Sequence, residues 1–175
     1  MKPEITSRSR FTAIDFETAS YRRNSACAVA MVRVESGRIV NRATCLIRPP
    51  EEKFTFSHLH GIIWQTVCNE PVFAEVWNGL SHMIQDIDFL TAHNASFDKA
   101  VMSCCCDHAG IRPPALPFHC TVHLSRRFFN LESVSLPYVC KHLGIPLNHH
   151  DPSSDAEACA RIMLAILSRM KIGRW

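Results

Sequence analysis

The stretch RFTAIDFET, residues 10–18, opens with β-forming residues and closes on two acids, Asp15 and Glu17, two positions apart. Its composition predicts a first strand over Phe11 to Phe16. Alternate strand side chains share a face, so the two carboxylates project together, roughly 6.6 Å apart along the backbone. Acids placed among Ala, Ile and Phe are costly to half-bury without a compensating cation. If the strand simply ends at Asp15, both are solvated and need none.

Two more strands are expected outward from this one, over Cys27 to Val34 and Ile39 to Ile47. The segment Glu35-Ser36-Gly37-Arg38 between them has the composition of a tight hairpin turn, so the three strands form an antiparallel meander. Pro49 and Pro50 end the third strand, because proline cannot donate to a ladder. A less regular stretch follows, punctuated by Gly61 and Pro71. Then Phe73, Val76, Trp77, Leu80, Met83 and Ile84 fall on one helical face. Asp88 to Ala92 reads as a short strand, about Phe97 to Ala109 as a helix with Ser96 as its cap, and Phe118 to Thr121 as a strand. Ser135 is placed to cap a short helix through Leu143 that Gly144 closes. Ala156, Ala160, Met163, Leu167 and Met170 mark a final amphipathic helix. Strands first, then helices alternating with strands, predict an α/β arrangement with a mixed sheet and helices on its faces.

A length of 175 residues fits one domain, residues 1–175. Hydrophobic residues at 47% and charged residues at 20% are ordinary for a soluble globular chain. A formal charge of +3 suits a polyanionic partner without demanding one. Nine cysteines include the run Cys104, Cys105, Cys106 and no C-x-x-C pair. Neighbouring cysteines rarely meet disulfide geometry, so reduced thiols acting as small core hydrophobes are expected, with a thiolate zinc site as the competing reading. The amino terminus lacks an apolar leader region, and no apolar run approaches the about 20 residues of a membrane span. A cytoplasmic protein without a membrane partner is expected.

Further polar groups cluster at the ends of the predicted strands. Asp98 falls in the first turn of a helix, where the dipole alone favours an acid. The polar corner His93-Asn94-Ala95 before it ends an apolar strand, and ligand sites in α/β sheets gather at such carboxyl ends. His150 and Asp155 flank a loop of Pro152, Ser153 and Ser154 before the last helix. A histidine on such a loop suits proton transfer near neutral pH, and the adjacent His149 is the alternative. Arg8, Arg10, Arg22, Arg23, Arg126 and Arg127 are candidates to line a substrate groove, or are simply solvated charges. Phe97 could stack on a base or belong to the core. His119 and His123 straddle a predicted strand end and are read as non-ligands.

D-x-E, then H-N-A-x-F-D, then H-x4-D-A resembles the three motifs of the DnaQ-like DEDDh superfamily of 3′–5′ exonucleases, over nearly the whole chain from Thr12 to Ala160. His60-Gly61-Ile62 and the segment Pro71 to Trp77 resemble the family's stretch after the third strand, and Cys120-Thr121-Val122 with Arg126 resembles the Cys-Thr strand of the subgroup that includes exonuclease X and polymerase proofreading domains. The resemblance implies an RNase H-like fold with a mixed five-stranded sheet flanked by helices. It implies that Asp15, Glu17, Asp98 and Asp155 hold metal, and that His150, by its H-x4-D spacing, is the general base. Phe16, Thr18, His93, Asn94 and Phe97 are then the expected substrate-binding residues. Asp151 to Ser154 departs from the pattern of relatives and bears on closure of the His150 loop. Four converging carboxylates repel, and two Mg²⁺, with Mn²⁺ as substitute, would resolve that repulsion and serve an in-line phosphoryl displacement.

The expected function is a divalent-metal-dependent 3′–5′ exonuclease that releases nucleoside 5′-monophosphates from single-stranded DNA. An exoribonuclease trimming RNA 3′ ends is the near alternative. A polymerase-associated proofreading subunit is another, although the sequence stops at residue 175, just past the last helix, with no tail to tether a polymerase. Nucleic acid is thus the expected partner, with a DNA polymerase or a second copy of the chain as further ones.

Overall fold

The computed structural model describes residue 6 and residues 8–172, except the side chains of residues 171 and 172. The leader and tether readings concern the two ends of the sequence, where residues 1–5, 7 and 173–175 lie outside the described residues. β1 (Phe11–Thr18), β2 (Ala26–Glu35) and β3 (Arg38–Leu46) form the expected antiparallel meander. Ser36 and Gly37 both take positive φ (49° and 77°), the backbone a two-residue type I′ hairpin requires. β4 (Phe89–Ala92) pairs in parallel with β1, and β5 (Phe118–Cys120) in parallel with β4. The sheet order is β3-β2-β1-β4-β5, the mixed five-stranded sheet expected.

The segment after β3 contains two single-turn helices, α1 (Ser57–His60) and α2 (Trp64–Val67). The periodic run from Phe73 forms α3 (Phe73–Gly79) and a 3-10 turn at Ser81–Met83, with Glu75 accepting the Val72 N–H at 3.0 Å. α4 spans Ala95–His108, α6 Leu136–Leu143 and α7 Pro152–Ile172. α5 (Thr121–Phe128) stands where no helix was expected. Its buried positions include Thr121 and Ser125, so its inner face carries little apolar signal.

β1 divides the core. Ile14 and Phe16 face α3 and α4 together with Val29, Met31, Leu90 and Met102. Phe11 and Ala13 face α7, against Ala156, Ala160, Met163 and Leu167. Phe11 stacks on Phe89 with ring centroids 5.1 Å apart and planes 4° off parallel, a pairing that adds about 0.5–1.5 kcal/mol beyond area burial. By alternation, Asp15 and Glu17 continue the α7 face past the point where its apolar packing stops. The β1–β2 register shifts between Glu17 and Thr18, which ends regular pairing beside these acids.

Three local expectations are corrected. Ser96 lies inside the first turn of α4, and the capping position is Asn94, at φ 72°, with Ser96 Oγ donating to Asn94 Oδ1. Ser135 occupies the first flank of α6 but makes no side-chain cap bond. Pro152, Ser153 and Ser154 are not a loop: they are the first turn of α7, where proline needs no N–H partner. All nine cysteines are unpaired, and Cys27, Cys105, Cys106, Cys140 and Cys159 lie in the cores as small apolar groups. Among the described residues no helix is long and apolar enough to cross a membrane.

Candidate active site

The fold carries Asp15 and Glu17 out at the end of β1 and Asp98 in at the start of α4, directly after β4. Asp155 joins them from the first turn of α7. Asp98 is buried, and its Oδ1 accepts the Phe16 N–H at 3.0 Å, which ties α4 to β1 between the two strand acids. Asp155 is also buried. Its Oδ2 accepts the His149 Nδ1–H at 2.9 Å and the His150 backbone N–H at 3.1 Å, while its Oδ1 has no partner. Asp151 caps α7: its Oδ1 accepts the Ser154 N–H at 3.0 Å and the Ser153 hydroxyl at 2.6 Å, and its carbonyl accepts the Asp155 N–H. This Asp-Pro capping pair was available in the sequence as a helix start.

Burial raises the pKa of all four carboxylates, and charge repulsion adds to it at Asp15, Glu17 and Asp98. Asp15 is pushed well above the usual carboxylate range by burial first, then by Asp98, Asp155 and Glu17. Burial, then Asp155 and Asp151, push Glu17 up to about 7. Asp98 also rises to about 7, with burial outweighing the hydrogen bonds it accepts. Asp155 is raised by burial against the opposing bonds from His150 and His149. Acids held this way are relieved by a proton or by a cation, and the unpartnered buried Asp155 Oδ1 is available as a ligand atom for the latter. The oxygen-only donor set fits a hard divalent ion.

A stability consequence follows. Between about pH 4.5 and 7 the folded chain keeps protons on Glu17 and Asp98 that the unfolded chain has released, so their contribution falls as pH rises through that window. Half-buried His93, lowered to about 4 chiefly by desolvation, acts oppositely and adds stability as pH rises from about 4 to 6.5. Comparing variants separates the two. The melting temperature of metal-free Asp98→Asn should exceed that of the parent, and the gap should widen from pH 5 to pH 8. A constant gap across that range would show that Asp98 is not held under repulsion.

The expected substrate-binding residues surround the acids with different degrees of access. The Phe16 ring is buried in the core, so only its backbone faces the site. Thr18 is buried and its carbonyl accepts the His60 Nε2–H at 3.2 Å. His93 is held at both nitrogens: Nε2 donates to the Val134 carbonyl at 2.9 Å, and Nδ1 lies 2.9 Å from the Thr121 hydroxyl. Asn94 is exposed, and Phe97 is half-buried with the Arg23 guanidinium 4.7 Å above its ring. Of the arginines, Arg23 and Arg126 are near the site, Arg126 lining a hollow with His93 and Asn94. Arg8 and Arg10 precede β1 at its other end, with Arg10 about 23 Å along the strand from Glu17. Arg22 is engaged by Glu51. His119 and His123 fall on β5 and α5, outside the cluster.

Two buried and two half-buried carboxylates gathered at the carboxyl ends of parallel strands, beside a pair of histidines, make a site fit for a hydrolase that works through divalent cations. The family model described as an exonuclease, RNase_T, matches residues 12–163, and the chain belongs to that family. That family belongs to the DnaQ-like exonuclease superfamily, whose enzymes use divalent metal ions. Curated relatives include the PolC-type DNA polymerase III of Thermotoga maritima (27% identical over 165 residues, 92% of this chain) and that of Halalkalibacterium halodurans (30% over 160 residues, 89% of this chain). The chain spans only 12% and 11% of those polymerases. The fold is similar to exonuclease X in complex with 5′ overhanging duplex DNA (TM-score 0.71, 24% identity, 94% of this chain and 93% of that one). It is also similar to the nuclease domain of 3′hExo, a DEDDh family member, bound to rAMP (TM-score 0.77, 16% identity, 92% of each). The expected RNase H-like architecture is the one these neighbours share.

Proposed function

We propose that residues 1–175 form one exonuclease domain that removes nucleotides from the 3′ end of single-stranded DNA and releases nucleoside 5′-monophosphates. The observation that carries this reading is the unpartnered, buried Asp155 Oδ1 within a set of four carboxylates whose pKa values are all raised, by burial first. Asp15, Glu17, Asp98 and Asp155 are the groups that would hold two Mg²⁺, with Mn²⁺ as a substitute. Metal bound there would neutralise the acids and supply the positive charge that an in-line displacement at phosphorus needs.

The remaining work belongs to the chain. Among the described residues the ring nitrogens of His150 have no hydrogen-bond partner, whereas His149 Nδ1 is committed to Asp155. His150 is therefore the imidazole free to accept a proton from water. The water oxygen bonds to the phosphorus of the last linkage and its proton goes to His150, while the bond from that phosphorus to the 3′ oxygen of the preceding nucleotide breaks and that oxygen takes a proton from solvent to become a 3′ hydroxyl. Phe16, through its backbone, with Thr18, Asn94 and Phe97 would seat the terminal nucleotide, and His93 would brace the 131–135 loop beside it. The unpaired thiols suit a reducing compartment, and we place the protein in the cytoplasm.

A second reading, a proofreading domain working with a polymerase, is favoured by relatives named as PolC-type DNA polymerase III, of which this chain spans 12% and 11%. Digestion of 5′- and 3′-labelled DNA and RNA oligomers, with Mg²⁺ or Mn²⁺, tests both substrate and polarity. The expected products are a 5′-labelled ladder shortening from the 3′ end and free mononucleotide from the 3′ label. Internal cleavage, a ladder from the opposite end, or digestion of RNA alone would refute the reading. Turnover that becomes appreciable only with an added polymerase would select the second.

A further inference from the structure

The second oxygen of Asp155 lies in a different environment from the first. His149 Nδ1 and the His150 N–H both donate to it, and the two imidazoles stack with centroids 3.9 Å apart and planes 19° off parallel. One donor atom from each of His149, His150 and Asp155 lies within 4.8 Å of the other two. Among the described residues this is the one such group of three histidine, cysteine or acidic side chains. Two imidazole nitrogens and a carboxylate oxygen suit a borderline cation such as Zn²⁺ and suit Mg²⁺ poorly.

We propose that His149, His150 and Asp155 form a binding site for Zn²⁺ or a like borderline cation, separate from the oxygen-only cage, and that filling it switches the nuclease off. Ligand bonds of about 2.0–2.2 Å around a tetrahedral ion place donor atoms roughly 3.3–3.6 Å apart. Closing from the observed spacing takes a side-chain rotation, and the His149 side chain, 40% exposed, is free to make it. Water would complete the tetrahedron. A carboxylate can serve two ions through its two oxygens, so Asp155 can contribute to both sites. Excess Mg²⁺ competes weakly for imidazole nitrogen, and first-row affinities rise from Mn²⁺ toward Zn²⁺. The inhibitory half rests on the function proposed above: a His150 nitrogen bonded to zinc cannot take the proton of the attacking water.

Calorimetric titration of Zn²⁺ into the reduced protein in excess Mg²⁺ is expected to show one ion bound per chain. His149→Asn should weaken zinc binding about 10-fold or more, since loss even of an outer-shell partner costs about 10–100-fold in metal affinity. The zinc concentration for half-inhibition should rise in step, with each protein's rate referred to its own zinc-free rate. Co²⁺ in place of Zn²⁺ should give visible absorption bands of nitrogen and oxygen ligation. Unchanged zinc affinity in His149→Asn, or a sulfur-to-cobalt charge-transfer band, would overturn the site. Zinc binding that depends on His149 but leaves the rate untouched would refute the switch. A protein that binds zinc in this way but never cleaves nucleic acid would leave the site standing and sink the proposed function instead.

Discussion

Asp15→Asn should lose phosphodiester cleavage by on the order of 10³-fold or more, because it removes one of the groups proposed to organise charge at the reacting phosphate. Asp15 is the acid on which the other three press: Asp98, Asp155 and Glu17 all raise it. Removing its charge relieves all three contacts together. The metal-free variant should therefore melt at a higher temperature than the parent at pH 8, by about 2–4 °C for each kcal/mol of repulsion relieved. Added Mg²⁺ or Mn²⁺ should stabilise the parent and leave the variant almost unmoved. Activity and stability thus shift in opposite directions, as expected where a site is held under strain for its function. Scanning calorimetry with and without metal, alongside a nuclease assay, checks both halves. A variant that loses activity because it is destabilised would contradict this account of the site.

His150→Gln should slow kcat about 10²–10⁴-fold with little change in KM, the usual contribution of a positioned general base. The loss should persist at any Mg²⁺ concentration, because the missing function is proton removal. His149→Gln tests the neighbouring imidazole. Its Nδ1 orients Asp155, so its loss should appear as a metal affinity about 10–100-fold weaker, with activity recovered by raising Mg²⁺. Kinetics over a range of metal concentrations separate the two. If His149→Gln showed the metal-independent loss and His150→Gln the recoverable one, the roles would be reversed and the H-x4-D spacing would have misled.

The meander was legible because its signals are local. Alternating apolar residues bounded by Ser36-Gly37 and Pro49-Pro50 specify strands and turns with no knowledge of what packs on them. α4 and α7 were legible through their apolar stripes, and their starts were misplaced by two to four residues. At α4 the cap is an Asn in left-handed backbone, where Ser96 looked equally able to serve. At α7 the Pro152-Ser153-Ser154 run looked like a turn until Asp151 is seen capping it. α5 was missed for a deeper reason. Thr121 and Ser125 are buried only because α7 covers them, and nothing in their own chemistry demands an interior.

By itself the sequence determined which residues are able to do the chemistry: two acids in period-two register, an acid opening each of two helices, and a histidine ahead of the second. Residue type and local spacing set those facts, and they are written in consecutive positions. Only the tertiary structure decided that these groups meet. It placed β4 in parallel beside β1, so that Asp98 reaches the Phe16 amide across 82 positions of chain. It laid α7 over the same end of the sheet. It also gave His149 to Asp155 and left His150 free, a division that two adjacent identical side chains cannot express in sequence. Convergence of this kind depends on long-range packing, which brings the buried carboxylates close enough to repel, and no local propensity encodes that proximity.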